Sequence, residues 1–169
     1  MWSSERRRLL AALAALAALP LAAACGFRPA HAPGGPGAAL RGQVRADDPV
    51  SVRDFAFVAA LEDRLGRPQQ VRYALAYDIA VDERGGARVR DVGDTRFQVF
   101  GQVTFTLTDT ATGEDLATGT VQNFTAYSAT STQMATRIAQ QDAERRLMAI
   151  LADQVVARLL TTLPEPTDA

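Results

Sequence analysis

The stretch that decides the fold of this chain reads Val71-Arg72-Tyr73-Ala74-Leu75-Ala76-Tyr77-Asp78-Ile79-Ala80-Val81-Asp82. Every odd position holds a large apolar residue, and every even position holds an alanine or a charged residue. Successive side chains of a β-strand point to opposite faces of a sheet, so this alternation is typical of a half-buried strand. The pattern predicts a strand whose odd-numbered side chains enter a core.

The same alternation returns after a turn, which we predict at Glu83–Gly86. The return strand starts at about Ala87, is interrupted at Gly93-Asp94 and then resumes. Its apolar face consists of Phe97, Val99, Gly101, Val103, Phe105 and Leu107. A four-residue loop would pair odd positions with even ones, although both apolar sets are odd. The sequence therefore predicts a β-bulge, which we place at Gly93.

Two further strands have weaker patterns. A weak candidate covers Leu40–Asp47, before the strand that opens this section. After a turn at Asp109–Gly113, a third strand of the meander covers Leu116–Tyr127. This third strand is poorer in large apolar residues, so we expect it near an edge of the sheet.

Two segments carry helical signals. Ser51 and Asp54 form a capping-box pattern before a short helix that Gly66 ends. The apolar stripe of the short helix consists of Phe55, Val58, Leu61 and Leu65. Met134–Leu163 contains no proline or glycine and follows several candidate N-caps at Ser128–Ser131. The apolar stripe of this long helix consists of Met148, Ala152, Val155, Leu159 and Leu163.

This order of elements predicts an α+β fold. We expect a two-layer sandwich, in which a four-stranded mixed sheet has two helices packed on one face. The opposite face would then be the polar, even-numbered set of the return strand, open to solvent or to a partner. That set includes Gln98, Gln102, Thr104 and Thr106.

The N-terminal segment is typical of an export signal. Arg6, Arg7 and Arg8 precede an apolar run at Leu9–Leu21, which is shorter than the roughly 20 residues that cross a membrane as a helix. Small residues then lead to Cys25, the only cysteine of the chain. This segment resembles the lipobox of bacterial lipoproteins, which are cleaved before an acylated cysteine. The alternative is an ordinary signal peptide that is cut elsewhere and leaves a free thiol.

We divide the chain accordingly. Residues 1–24 are the predicted lipoprotein signal peptide, and residues 25–42 are the acylated cysteine and a flexible Pro/Gly-rich tether. Residues 43–163 are a single α+β domain, and residues 164–169 are a disordered tail. The only histidine, His31, lies in the tether, where a solvated side chain is the expected role.

Composition excludes some functions. Without residues 1–24, which hold three arginines and one glutamate, 15 basic and 18 acidic side chains remain. This balance gives no basis for nucleic-acid binding. The sequence has no metal-ligand spacing, no phosphate-binding loop and no group of catalytic residues, so we expect neither an enzyme nor a cofactor.

Several short motifs, taken in order, resemble one family. Cys25-Gly26-Phe27-Arg28-Pro29 resembles the C-G-F-x-P opening of the LptE family of lipopolysaccharide-assembly lipoproteins. The other matching segments are Tyr73–Val81, Thr95-Arg96, Leu107-Thr108-Asp109, Thr112-Gly113, Tyr127-Ser128, Asp142–Leu147 and Leu151-Ala152-Asp153. The tyrosine that usually follows the opening is replaced here by the tether.

The resemblance implies a non-enzymatic protein of the cell outer membrane. Members of the family plug the LptD β-barrel, which inserts lipopolysaccharide into the outer leaflet, and they also bind lipopolysaccharide. The resemblance places the protein on the periplasmic side of the membrane, held by acyl chains such as palmitate on Cys25. The alternative is a periplasmic lipoprotein that serves as an auxiliary subunit of a lipid transporter.

Two groups of residues are candidates for these partners. Lipid A phosphates favour forked guanidinium donors, so we assign lipopolysaccharide binding to Arg84, Arg88, Arg90 and Arg96. The alternative is that these arginines form exposed ion pairs with Asp82, Glu83, Asp91 and Asp94. We assign contact with the barrel to Gln98, Gln102, Thr104 and Thr106, because a wide barrel has a polar interior. The alternative is an ordinary solvated sheet face.

Overall fold

A computed structural model describes residues 35–89, 93–129 and 132–163, except for the side chains of residues 87–89 and 93–94. The predicted signal peptide, Cys25, most of the tether and the predicted tail therefore lie outside the described residues. The elements in chain order are α1 (Pro36–Leu40), β1 (Val44–Ala46), α2 (Val52–Leu65), β2 (Tyr73–Val89), β3 (Gly93–Asp109), β4 (Asp115–Ser128) and α3 (Gln133–Thr162).

The four strands form one mixed sheet in the order β1-β2-β3-β4. β1 pairs with β2 in parallel, and the other two pairs are antiparallel. α2 and α3 pack on one face of this sheet, which confirms the predicted α+β sandwich. β4 lies at an edge, as its weaker apolar pattern predicts.

The predicted turn at Glu83–Gly86 is wrong, because β2 continues through it to Val89. Val89 pairs with Gly93, so only three residues connect the two long strands. A connection of three residues pairs odd positions with odd positions, as Tyr77 opposite Phe105 illustrates. Both apolar sets therefore reach the same face without a net shift of register.

The predicted bulge at Gly93 is also wrong. The irregularity lies on the other strand of the hairpin, near the end of β2. There the register shifts between Gly85 and Ala87 and again between Ala87 and Arg88. Gly86 has no partner in the register, and on β3 the register skips Thr95. Extra residues on both strands leave the parity of the hairpin unchanged.

Helix α2 begins and ends where its capping residues predict. The Ser51 side chain accepts a hydrogen bond from the Asp54 amide, and the Asp54 carboxylate accepts one from the Ser51 amide. Gly66 follows the helix with a φ of 78°, a conformation that favours glycine. The predicted stripe is partly wrong, because Phe57 is fully buried against Tyr77 whereas Phe55 is 61% exposed.

The start of the domain also differs from the prediction. Residues 36–42 are not tether, because Pro36–Leu40 form the short helix α1 and Leu40 is fully buried in the core. The weak strand predicted over Leu40–Asp47 is reduced to the three residues of β1.

The N-cap of helix α3 is Thr132, one residue beyond the predicted candidates at Ser128–Ser131. The predicted stripe is confirmed for its first four residues, whereas Leu163 follows the helix and is half-buried. Met148, Ala152, Val155 and Leu159 are fully buried. Within the described residues, no helix combines the length and the hydropathy needed to span a membrane.

Two bidentate ion pairs hold α2 alongside α3. Arg53 donates two hydrogen bonds of 3.0 Å to Glu144, which is the main reason that the pKa of Arg53 is raised. Arg64 donates bonds of 2.6 Å and 3.0 Å to Asp153. Because both partners advance in the same direction along the chain, the two helices run parallel.

Gly101 lets α3 approach the sheet closely. A Cβ atom at this position would lie 2.8 Å from Leu151 Cδ1 and 2.9 Å from Leu147 Cδ2. Both distances are shorter than normal van der Waals contact, so any larger residue would force the side chains of Leu147 and Leu151 to shift.

We predict that Gly101→Val lowers the free energy of unfolding by about 1–3 kcal/mol, because the added methyl groups overpack the contact with Leu147 and Leu151. Urea unfolding measures the change. The matched control is Thr104→Val, which adds a valine to the exposed face of the same strand. Equal stability of the two variants would contradict the close contact.

Candidate functional site

The sheet has one open face, formed by the even-numbered residues of β2, β3 and β4. Both long helices pack on the odd-numbered side, where the side chains of the core lie. The small residues Ala74, Ala76 and Ala80 occupy the β2 part of the open face. Polar side chains cover much of the β3 and β4 parts.

The predicted barrel-contact residues all lie on this open face. Gln102 and Thr104 are exposed, whereas Gln98 and Thr106 are half-buried. Two of the four side chains contact β4: the Gln122 amide donates a 2.7 Å hydrogen bond to Gln102, and the hydroxyls of Thr104 and Thr120 lie 3.4 Å apart. No helix among the described residues covers this face, and Gln102 and Thr104 are exposed there, whereas contact with a barrel stays a prediction.

An aromatic pair, which was not among the predicted site residues, lies in the middle of the open face. Phe100 and Phe124 are direct cross-strand partners, and their ring centroids lie 5.6 Å apart. The Phe124 side chain is 53% exposed. The signal was available, because both residues occupy even positions in strands whose core residues are odd.

The predicted arginine group is only partly described. Arg84 donates a 2.7 Å hydrogen bond to Asp82, and its guanidinium lies 4.8 Å from the Phe100 ring centroid. Arg96 is exposed on the same face as Arg84, at the hairpin end of β3. The side chain of Arg88 and all of Arg90 lie outside the described residues. Arg84 therefore follows the predicted alternative of an ion pair with Asp82.

Tyr127 and Glu83 link the hairpin to the helical layer. The Tyr127 ring stacks on Phe97 at 5.3 Å. Burial, together with a hydrogen bond to Glu83, raises the pKa of Tyr127 to about 12. Glu83 also accepts a 3.0 Å hydrogen bond from Gln140 of α3. These contacts fix the hairpin against the first turns of α3.

The chain enters the domain at the end opposite to the hairpin. The Gly42 amide donates to the Leu65 carbonyl at the last residue of α2, and Gln43 accepts from Tyr73 at the first residue of β2. β2 has 17 residues, so its two ends lie about 50 Å apart. Arg84 and Arg96 therefore lie far from the N-terminal entry point.

The chemistry of the site is that of a binding surface. Within the described ranges, no three His, Cys, Asp or Glu side chains are grouped to hold a metal ion. Among the described side chains, the open face offers hydroxyl, amide and aromatic groups, the exposed Arg84–Asp82 pair, the Asp78 carboxylate and the exposed Arg96.

Comparison with known families decides the identity. The sequence model of the LptE lipopolysaccharide-assembly family matches residues 46–159, which span all three strands of the meander and most of both long helices. The chain belongs to the LptE family. The LptE family is a non-enzymatic group of outer-membrane lipoproteins that act in lipopolysaccharide assembly. None of the curated proteins compared with it matches significantly.

Solved structures share the fold of this LptE-family chain. A putative lipoprotein from Caulobacter crescentus is 21% identical with a TM-score of 0.62, and the match covers 75% of this chain and 93% of that one. Rare lipoprotein B from Shewanella oneidensis is 10% identical with a TM-score of 0.55, covering 71% and 93%. A minor lipoprotein from Acinetobacter baumannii is 14% identical with a TM-score of 0.53, covering 75% and 95%. At these identities the likeness concerns the fold alone.

Proposed function

We propose that this protein plugs an LptD-type β-barrel in the outer membrane, helps the barrel to assemble and binds lipopolysaccharide during its insertion into the outer leaflet. Family membership supports the assignment, and one structural observation carries it. No helix in the described part of the chain covers the even-numbered sheet face, and polar side chains pair there across β3 and β4 at Gln102–Gln122 and Thr104–Thr120. The interior of a wide barrel is polar, so such a face suits contact with its wall.

A plug must also be stable before it meets its barrel. The two long helices bury the opposite sheet face, where Leu75, Val103 and Leu107 are fully buried. The domain therefore has a buried core of its own, formed without the barrel. The polar face is left available for a second protein.

For the barrel contact, we predict that Thr104→Arg lowers the yield of co-purified barrel by about tenfold or more. The arginine would enter the contact without a prepared partner on the barrel, which is costly. The domain itself should tolerate the change, because Asp78 lies directly opposite Thr104 on β2 and complements the new charge. The measurement is affinity purification of the full chain from outer-membrane extract.

The matched control is Ala157→Arg, which adds the same charge at an exposed position of α3. Circular dichroism and thermal melting check that both variants are folded. Full barrel yield with folded Thr104→Arg would contradict contact through this face. If no barrel co-purified with the parent, the auxiliary-subunit alternative would replace the plug.

The arginines at the hairpin end are the candidates for lipopolysaccharide. Arg96 is exposed and matches the Thr-Arg motif of the family resemblance, whereas the charge of Arg84 is already paired with Asp82. An exposed ion pair contributes only about 0–1 kcal/mol, but it occupies donors that a phosphate would need. We therefore assign the main phosphate contact to Arg96, together with Arg88 and Arg90 of the hairpin.

We predict that Arg88→Ala combined with Arg96→Ala weakens capture of lipopolysaccharide by the purified protein, because two guanidinium donors are removed. Binding of labelled lipopolysaccharide at fixed ionic strength measures the effect. The control is Arg41→Ala combined with Arg158→Ala, which removes the same charge at exposed positions outside the hairpin. Equal losses in both double variants would indicate a general charge effect and would refute this site.

The proposed anchor is Cys25, which is acylated after removal of residues 1–24. We expect intact-mass analysis of the membrane-extracted protein to give a chain that begins at Cys25 and carries acyl groups. Cys25→Ser should release the protein from the membrane fraction, because serine offers no thiol for the lipid. An unmodified N-terminus at any other residue would show that the segment is an ordinary signal peptide.

A further inference from the structure

The open face contains a groove of about 540 Å³ beside the Phe100–Phe124 pair. Cross-strand pairing arranges its lining in two rows. Asp82, Phe100 and Phe124 form one row, and Ala80, Gln102 and Gln122 form the next. The small Ala80 side chain leaves the groove open between taller neighbours.

Arg84 extends the aromatic surface and does not act as a free cation. Its Nε atom lies 2.7 Å from Asp82 Oδ2, and its guanidinium lies over the Phe100 ring. The carboxylate neutralises the charge, and the stacking holds the guanidinium plane near the ring. Beside Phe100, the surface of the groove is therefore flat and without net charge, and its Arg84 and Asp82 side chains can form hydrogen bonds.

The amide row supplies further hydrogen-bonding groups. The single bond from Gln122 Nε2 to Gln102 Oε1 fixes both side chains. It uses one of the two donors of Gln122 and one lone pair of Gln102, so each amide retains capacity for a further partner. The side chains of Gln102 and Gln122 are both exposed, which leaves this capacity accessible from the groove.

We propose that this groove binds a saccharide, with one sugar ring stacked on Phe124 and its hydroxyl groups bonded to Gln102, Gln122 and Asp82. The flat face of a pyranose presents C–H groups that carry partial positive charge, and the face of an aromatic ring is negative. The edges of the pyranose present hydroxyl groups, which both donate and accept hydrogen bonds. Such groups can pair with the two amides and with the carboxylate. The source of the sugar, the core oligosaccharide of lipopolysaccharide, rests on the proposed function.

Other small ligands fit the groove less well. A phosphate would meet Arg84 with its charge already neutralised by Asp82. An acyl chain would cover the amides and the carboxylate without giving them hydrogen-bond partners, which costs free energy. The site also divides the open face, because Thr104 and Thr106 continue towards the end where the chain enters. In this inference Gln102 faces the sugar, and the proposed barrel contact is centred on Thr104 and Thr106.

The test titrates the full-length protein in detergent with core oligosaccharide that has been released from lipid A and dephosphorylated. Ligand-observed NMR gives the dissociation constant. We expect Phe124→Leu to weaken binding by about tenfold, because it keeps apolar area but removes the ring face. Phe124→Tyr should bind like the parent. Thr118→Ala, on the same face of β4 and outside the groove, is the matched control.

Several results would overturn the inference. One is a parent protein that does not bind the oligosaccharide, and another is Phe124→Leu with the affinity of the parent. If the parent captures only lipid A, the groove holds no sugar, whereas the proposed role in lipopolysaccharide binding stands. If Phe124→Leu loses the barrel but retains the oligosaccharide, the pair is a protein contact. Conversely, Phe124-dependent binding without a co-purified barrel would support the groove and refute the plug.

Discussion

The packing of α3 onto β3 at Gly101 is the contact on which the rest of the structure depends. Leu147 and Leu151 occupy the space that a side chain at this position would fill, so the longest helix packs directly on β3 and its neighbour β4. The pairs Arg53–Glu144 and Arg64–Asp153 then align α2 with α3 on the same face. Because both long helices pack on one face of the sheet, the opposite face carries many polar residues and is available for binding.

The strict alternation of apolar and polar residues predicted which side chains lie on each face of the sheet, but it did not predict where the turn lies. In β2 and β3 a shift of one residue would exchange the core face for the solvent face, so the pattern alone fixes which side chains are inside. The turn was misplaced because Gly85-Gly86 is typical of a hairpin turn, whereas here it lies at an irregularity within a longer strand. The choice between Phe55 and Phe57 depended on the position of Tyr77, which only the packed structure supplies.

The polarity of the candidate site could be predicted from the sequence, but the contacts between its side chains could not. The even-numbered face follows from the same alternation, and Gln102 and Thr104 are exposed as expected. The contact of Phe100 with Phe124 depends on the register between β3 and β4, which the sequence of either strand does not contain. The role of Arg84 likewise depends on its position beside Asp82 and above a ring, and composition cannot distinguish that from a free cation.

The long hairpin of β2 and β3 restricts how this fold can vary in length. Its two faces serve different purposes, so a single inserted residue would turn every side chain beyond it to the wrong side unless a bulge absorbed the insertion. Growth or loss must therefore come as paired changes in both strands, in steps of two residues or about 7 Å. The distance between the point where the chain enters the domain and the end of the hairpin can therefore change only in steps of about 7 Å. Relatives that serve thicker or thinner assemblies should differ in strand length by whole steps.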